Sequence, residues 1–338
     1  MLKFEEVEYS QLTNEEFDAF ADKLIYQTKE WLSFIMNTQR VRPIILRIYD
    51  GETFVGFFTG FAFKKFGLKM IGSPFKGWTT SYMGFNIKDG CELERASLIA
   101  PLWKYLKKTY HCVYCEIVDR HITEEEAKKY GLHYELQGSL MLPLGKTEEE
   151  LLQGYTKHCR KHIRQFQNNP VTIESVAPTD EYAEEFYRQL TEVFSYQGLL
   201  PSYDLHRVKQ LLCALKGKRD LLCTRVIENE TGKWISSGIS FGFNKHCYTW
   251  ASTSLREQRD YNQSAGQRWF AIRHWNSLGY RDMDMEGIRG YKWRFNPEEI
   301  QIPRIMLTRL GVLIWGRNLA KKAYWVLNSL KAKFQKNR

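Results

Sequence analysis

The stretch that most constrains the fold is residues 233–295, where the hydrophobic pattern changes from period two to a helical period and back. Residues 235–243 alternate small or polar with apolar side chains and predict a strand. Asn244-Lys245 is a tight turn, and residues 247–255 form a second strand. The polar segment 256–264 runs into an amphipathic helix. Trp269, Ile272 and Trp275 or Asn276 share its apolar face, and Gly279 ends it. Residues 280–285 predict a short strand with Asp284 and Glu286 at its exit, followed by Gly287 and Gly290. A polar loop entering a helix offers backbone N–H groups to a phosphate or a developing anion. Carboxylates at a strand exit can hold an amine or hydroxyl acceptor. The same pattern also describes an ordinary βαβ unit whose loop polarity is solvation, and both readings stay open.

Charge is unevenly placed over the 338 residues. The net charge is +10, yet nine Lys or Arg and no acid fall within residues 304–338, leaving 40 bases against 39 acids. A nearly neutral body argues against a broadly basic nucleic-acid-binding surface. Residues 309–338 have helical period, with Trp315 and Trp325 among apolar residues and Arg317, Lys321, Lys322, Lys331 and Lys333 as charge. An interfacial helix on anionic lipid fits this composition, and so does a docked C-terminal helix with a basic end. No apolar run reaches spanning length, roughly 18–20 residues, and the first residues do not read as a secretory signal. A cytoplasmic protein, peripheral to the inner face of the cell membrane, is expected. Of seven Cys only Cys112 and Cys115 have CxxC spacing, with no matching second pair, so they read as buried thiols.

Elsewhere, residues 43–49 and 53–61 predict a hairpin around Asp50-Gly51. Residues 72–86, GSPFKGWTTSYMGFN, read as a loop with organised side chains, where binding work tends to fall. Lys76, Trp78, Thr79, Thr80 and Tyr82 are its candidates; a surface turn held by its aromatics fits equally. Thr147 with Glu150 is a capping box opening a helix that carries Lys157, His158, Arg160, Lys161, His162 and Arg164. Arg160 and Arg164, four apart, project together toward an anionic ligand unless the face is merely solvated.

No P-loop, G-x-G-x-x-G or H-E-x-x-H occurs. Gly238-Ile239-Ser240-Phe241-Gly242 matches G-x-S-x-G, but inside a strand-like run and not at a strand-to-helix elbow, so it is a chance match. His158 and His162 could ligate a metal, but neighbouring Arg and Lys oppose a bound cation; no metal site and no tightly bound cofactor are expected. What remains is transfer chemistry that needs positioning, an oxyanion-stabilising N–H and a carboxylate.

The helix YTKHCRKHIRQFQ, the strand with Tyr248, the loop and helix YNQSAGQRWFAIRHWNSLGY, the strand DMDMEG and the closing KWRF come in the order of a known family. The chain resembles the FemAB-like, cellulose-biosynthesis-associated (BioF2-like) acyltransferase branch of the GNAT superfamily over residues 15–308. The resemblance implies an α/β fold of tandem GNAT-like domains, mixed central sheets flanked by helices, facing a cleft. Residues 1–143 would form the first domain and 144–308 the second, which carries the main site; 309–338 would be a basic amphipathic C-terminal helix. The implied activity moves an acyl or aminoacyl group onto an amine or hydroxyl of a cell-surface glycan or cell-wall precursor. Acyl-CoA, acyl-carrier protein or aminoacyl-tRNA would be the co-substrate, and nucleic acid a partner only if the donor is tRNA. Carried over, Arg160 and Arg164 face phosphates, Tyr248 and Trp250 line the cleft, and Asp284 or Glu286 orients or deprotonates the acceptor. Lys292 steadies a phosphate or carboxylate, Lys76 and Tyr82 close the acceptor side, and Trp78 is a further substrate-binding candidate. Gln263, Ser264 and Gly266 keep part of the GNAT pyrophosphate loop, but Arg268 stands at its last small position, where bulk would crowd a close backbone approach. The implied mechanism is direct attack, since no Cys or Ser has a recognisable base partner, with N–H groups of residues 248–252 holding the oxyanion. A non-catalytic, membrane-peripheral protein that binds a glycan precursor is the alternative, and a basic RNA-interacting module a third.

Overall fold

The computed structural model describes residues 2–65, 67–257, 259–309 and 311. The basic tail helix expected over 309–338 lies, beyond residues 309 and 311, outside the described residues. The chain divides into two compact units, residues 2–138 with 301–309, and residues 139–300.

Unit 1 contains strands β1 (Leu2–Glu6), β2 (Arg42–Asp50), β3 (Thr53–Lys65), β4 (Leu68–Ser73), β5 (Gly84–Ile87), β6 (Tyr114–Val118) and the first half of β7 (Tyr134–Pro143). Its helices are α1 (Asn14–Asp18), α2 (Lys29–Gln39), α3 (Ile99–Thr109) and α4 (Glu124–Lys129). Strands run in the order β1-β2-β3-β4-β6, and residues 304–308 of the final strand β13 (Glu298–Thr308) pair with β6. β4 and β6 are parallel, which requires a long crossover; α3 supplies it. Ile99, Leu102 and Leu106, at helical spacing, seat α3 on Ile44, Leu46, Ile71 and Ile117. Each fully buried aliphatic side chain contributes roughly 1.5–3 kcal/mol.

Unit 2 contains the second half of β7, then α5 (Glu148–Gly154), α6 (Lys157–Asn168), β8 (Val171–Val176), α7 (Asp180–Tyr196), α8 (Leu205–Leu215), β9 (Asp220–Glu228), β10 (Trp234–Phe243), β11 (His246–Ser252), α9 (Gln263–Ser277) and β12 (Asp282–Asp284). Its strand order is β7-β12-β11-β10-β9-β8, with β11 and β12 parallel and bridged by α9. The β10–β11 turn forms as expected, with Asn244 (φ 51°) and Lys245 (φ 69°) both left-handed. Successive residues Ser236 and Ser237 point to opposite faces of β10. Ser236 bonds Gln267 of α9 (3.1 Å) and Ser237 bonds Gln189 of α7 (2.8 Å), so the sheet lies between those helices.

Three expectations change. The helix opened by Thr147 is two helices, because Thr156 caps a second start by accepting the N–H of Cys159 (3.2 Å). The helix α9 is not amphipathic: Gln263, Ala265, Gly266, Gln267, Arg268, Trp269, Ala271, Ile272 and Trp275 are all buried, because α6 covers the side turned away from the sheet. Residues 84–86, read as the end of a loop, belong to β5, which pairs with β3.

Candidate active site

In unit 2 the parallel pairing is short. His246, Cys247 and Tyr248 face Asp282, Met283 and Asp284, then β12 stops while β11 runs on to Ser252. On its other edge β11 pairs Ala251 with Ile239 and Thr249 with Ser240, so Trp250 is the extra residue of a bulge. A bulge leaves a residue out of the ladder and re-aims its side chain. A cleft of about 330 Å³, counting the part open to solvent, lies here between Thr249, Ala251 and Ser252 of β11, Gly238 of β10, and Ser264 and Arg268 of α9.

The corresponding divergence in unit 1 is filled by the chain itself. β5 follows β4 along β3. Met83 donates its N–H to the Val118 carbonyl (2.8 Å), and Phe85 to Asp119 Oδ2 (2.8 Å). Gly84 (φ 83°) is required, since a Cβ there would lie 2.5 Å from Asp119 Oδ2. Arg95 closes the cluster by bonding the Phe85 carbonyl (2.6 Å), Asp119 and Asp22.

The exit turn of β12 is held from three sides. Asp284, fully buried, accepts at Oδ1 from the Ser139 hydroxyl (2.6 Å) and from the Glu286 N–H (2.7 Å). Ser139 Oγ accepts from the Gly287 N–H (3.1 Å). Lys292, 5% exposed, donates to the carbonyls of Met285 (2.5 Å), Glu286 (2.6 Å) and Gly287 (3.1 Å). Three acceptors match the three donors of an ammonium group. Burial, together with the charge of Arg268, pulls the Lys292 pKa down to about 8 against the partial support of Glu286 and Asp284. Glu286 takes up a left-handed backbone, φ 53°, and its side chain is half-buried.

Around this turn, Tyr248 is fully buried with its ring 5.9 Å from that of Phe241. Trp250 stacks on Tyr203 (4.8 Å) and Phe186 (6.3 Å). Burial and the charge of Glu286 raise the Tyr203 pKa, which places that phenol within reach of Glu286's field. Gln263 ties the helix start to the Leu255 carbonyl (2.9 Å). Gly266 serves packing: a Cβ there would meet the Phe166 ring at 2.1 Å. Arg160 and Arg164 do not act as a pair. Arg160 folds back onto the carbonyls of Gln153 (3.1 Å) and Tyr155 (2.5 Å), closing the end of α5, while Arg164 is exposed on α6.

The candidates of unit 1 sit in residues 74–83. Lys76 is exposed; Trp78 is half-buried against Phe75 (5.1 Å), Phe61 and Phe63; Tyr82 is buried 6.1 Å from Tyr26. Ser240 accepts the indole N–H of Trp275 (2.9 Å) from within β10, as its strand setting predicts. Cys112 and Cys115 are both buried, and burial pushes the Cys112 thiol up to about 11. Among the described residues no three His, Cys, Asp or Glu gather in a metal-ligating group, and no helix is long and apolar enough to cross a membrane.

Sequence reasoning missed Ser139, Tyr203 and Arg294, and read Arg268 only as an obstruction. Ser139 and Tyr203 lie on β7 and the α7–α8 loop, far in sequence from what they touch. Arg268 had a legible signal, a cation between Gln267 and Trp269 in a helix otherwise rich in core residues.

No protein-family model and no curated protein matches the chain. Solved structures do. FemX superposes with a TM-score of 0.69 at 12% identity, over 89% of this chain and 97% of that one. A tandem GNAT protein from the clavulanic acid biosynthesis pathway gives 0.55 at 11% identity, over 91% and 98%. A conserved protein of unknown function from Bacteroides thetaiotaomicron gives 0.56 at 13%, over 91% and 100%. The chain has the FemX-like tandem GNAT fold, a mixed α/β architecture of sheets flanked by helices.

Proposed function

We propose that the chain is an acyltransferase whose cleft in unit 2 takes an activated thioester or ester and passes its acyl or aminoacyl group to an amine or hydroxyl. The observation that carries this reading is the open divergence of β11 and β12 beside the bulge at Trp250, with Glu286 presented next to it in a left-handed turn. An extended donor lies along β11, and its carbonyl oxygen takes N–H groups at the bulge, where developing negative charge is stabilised without reorganisation. The acceptor attacks the carbonyl carbon as the bond to the leaving sulfur or oxygen breaks. Its proton passes to Glu286 and on to the leaving group.

Asp284 and Lys292 are positioning residues in this scheme, because their bonds define where Glu286 stands. Tyr248 faces Asp284 across the strand pair, and Trp250 packs on Tyr203 and Phe186 beside the bulge, so both support the strand along which the donor would lie. Ser264 borders the donor and Gln263 fixes the helix start beside it. The FemAB-like resemblance supports a cell-surface glycan or cell-wall precursor as acceptor, with a cytoplasmic protein meeting it at the inner membrane face through residues 309–338. Lys76, Trp78 and Tyr82 would serve the acceptor.

The test incubates the protein with acyl-CoA, acyl-carrier protein and aminoacyl-tRNA donors against amino- and hydroxyl-bearing sugar nucleotides, read by mass spectrometry. One acyl increment on an acceptor is expected, reduced about 100-fold or more in Glu286→Gln with an unchanged melting temperature. Wild-type turnover in that variant removes Glu286 from the scheme. Ligand binding with no covalent product from any pairing leaves the non-catalytic binding protein as the reading.

A further inference from the structure

The segment that follows Glu286 inverts the usual division between inside and outside. In the helical turn Gly290–Phe295 the buried side chains are Lys292 and Phe295, whereas Tyr291 is 47% and Trp293 41% exposed. Ile288, two residues beyond Glu286, is 40% exposed. Lysine is among the residues least often buried, and tryptophan is normally well covered. Seven large hydrophobic side chains stand open to solvent among the described residues, and three of them fall within 288–293. The segment is pinned from within. Lys292 holds the carbonyls of Met285, Glu286 and Gly287, and Phe295 packs on Tyr155 (5.3 Å). The outward rings are thus displayed on a fixed base.

The adjoining surface is cationic. The Arg294 carbonyl accepts the Thr156 N–H (3.0 Å), which joins this turn to the start of α6. The inner stripe of α6 is Cys159, Ile163 and Phe166, while Lys157, His158, Lys161 and Arg164 are exposed. Arg289 is exposed beside Ile288. Residues 151–173 and 287–297 contain no Asp or Glu. Of the acids just before the first run, Glu148 bonds Arg273 (2.6 Å) and Glu150 closes its own capping box. Bases and acids nearly balance over residues 1–303, so two acid-free runs joined in space are a local concentration of positive charge.

We infer that Ile288, Tyr291 and Trp293, with Arg289 and the exposed cations of α6, form a docking surface for an anionic lipid bilayer. Trp and Tyr rings settle at the headgroup level, where one end of the ring is in apolar and the other in wet surroundings. Lys and Arg attract anionic headgroups over roughly 8 Å at physiological salt, and their stems lie along the apolar boundary. A nucleic acid could stack on the two rings but offers Ile288 no counterpart. Rings, an aliphatic side chain and cations on one surface are the composition of an interfacial segment. The surface is separate in sequence from residues 309–338, and it stands whether or not the chain transfers acyl groups. Docked through it, the chain holds Glu286 two residues from the segment that enters the headgroups.

The test is co-sedimentation of the full chain with vesicles of phosphatidylcholine and of an equimolar mixture with phosphatidylglycerol. Binding to the anionic vesicles is expected, weakened about tenfold or more in Tyr291→Ser/Trp293→Ser. In Lys157→Gln/Lys161→Gln/Arg164→Gln it should weaken roughly fivefold per charge at low salt, on the order of 100-fold in all. Trp293→Phe, which keeps a ring, should still bind but lose part of the tryptophan fluorescence that brominated lipid quenches. No binding to anionic vesicles, or wild-type binding in both multiple variants, overturns the surface. So does equal quenching in wild type and Trp293→Phe. Binding lost only in Lys321→Gln/Lys322→Gln/Lys331→Gln/Lys333→Gln places the lipid contact on residues 309–338 and overturns it too. Salt-sensitive binding of a single-stranded RNA that the α6 variant abolishes, with no vesicle binding, overturns the lipid assignment in favour of a nucleic acid.

Discussion

Glu286 holds a backbone conformation that a side chain with a Cβ adopts at a cost of about 1–2 kcal/mol, and Asp284, Ser139 and Lys292 all bond the turn that imposes it. Glycine carries no such penalty. Glu286→Gly should therefore raise unfolding stability by about 1 kcal/mol in urea titrations while acyl transfer disappears. A variant that is less stable and equally active would mean that the turn is neither strained nor used. Lys292 gives a pH signature. Its native pKa, about 8, is below the ordinary 10.5, so between those values the unfolded chain holds a proton the native chain has released. Stability is thus expected to rise with pH from about 8 to 10.5, with no contribution from this group below that window. Turnover should fall through the lower part of the same window, as the ammonium that holds three carbonyls is lost. Denaturation midpoints at pH 7, 9 and 10 beside a pH–rate profile check both slopes, and Lys292→Met should flatten both. At this scale the two carboxylates at the strand exit were legible because strand ends display polar side chains. Their unequal burial was not, since the partner that holds Asp284, Ser139, lies 145 positions away in sequence.

Elements with strict periodicity were readable: β2, β10 and the Asn244-Lys245 turn lie within two residues of their expected bounds. Those that failed did so for tertiary reasons. The strand β5 has only four residues and exists because β3 extends beyond the end of β4. The helix α9 looks amphipathic in isolation, but α6 covers its second face through the seat that Gly266 gives Phe166. That seat is testable. Gly266→Ala would place a Cβ 2.1 Å from the Phe166 ring, and overpacking of this kind costs about 1–3 kcal/mol despite the gain in helix propensity. The double variant with Phe166→Leu should recover much of the loss. Additive losses in chemical denaturation would show that the two residues do not meet.

The two units exchange chain at β7 and β13: the polypeptide leaves unit 1 within β7 and returns to it within β13. The returning strand brings Ile305 and Met306 into the core of unit 1 and pairs Arg304 with buried Glu116 (2.8 Å). A chain ending at residue 300 takes the Arg304 charge away from Glu116, a loss worth about 3–5 kcal/mol. Hydrogen exchange should then report lost protection in β4 and β6 with β9 to β11 protected as before; uniform protection in both units would contradict this placement of β13. The two-fold recurrence of a helix-bridged parallel pair was legible only as a similar order of elements, because no residue-level repeat accompanies it. What separates the copies is a few residues, Met83 to Phe85 with Asp119, laid across one divergence and not the other. On the transfer reading, the described residues therefore leave one of the two divergences free to take a donor. A tight donor analogue will titrate to one equivalent per chain, and the amplitude of a first-turnover burst will count polypeptides one for one.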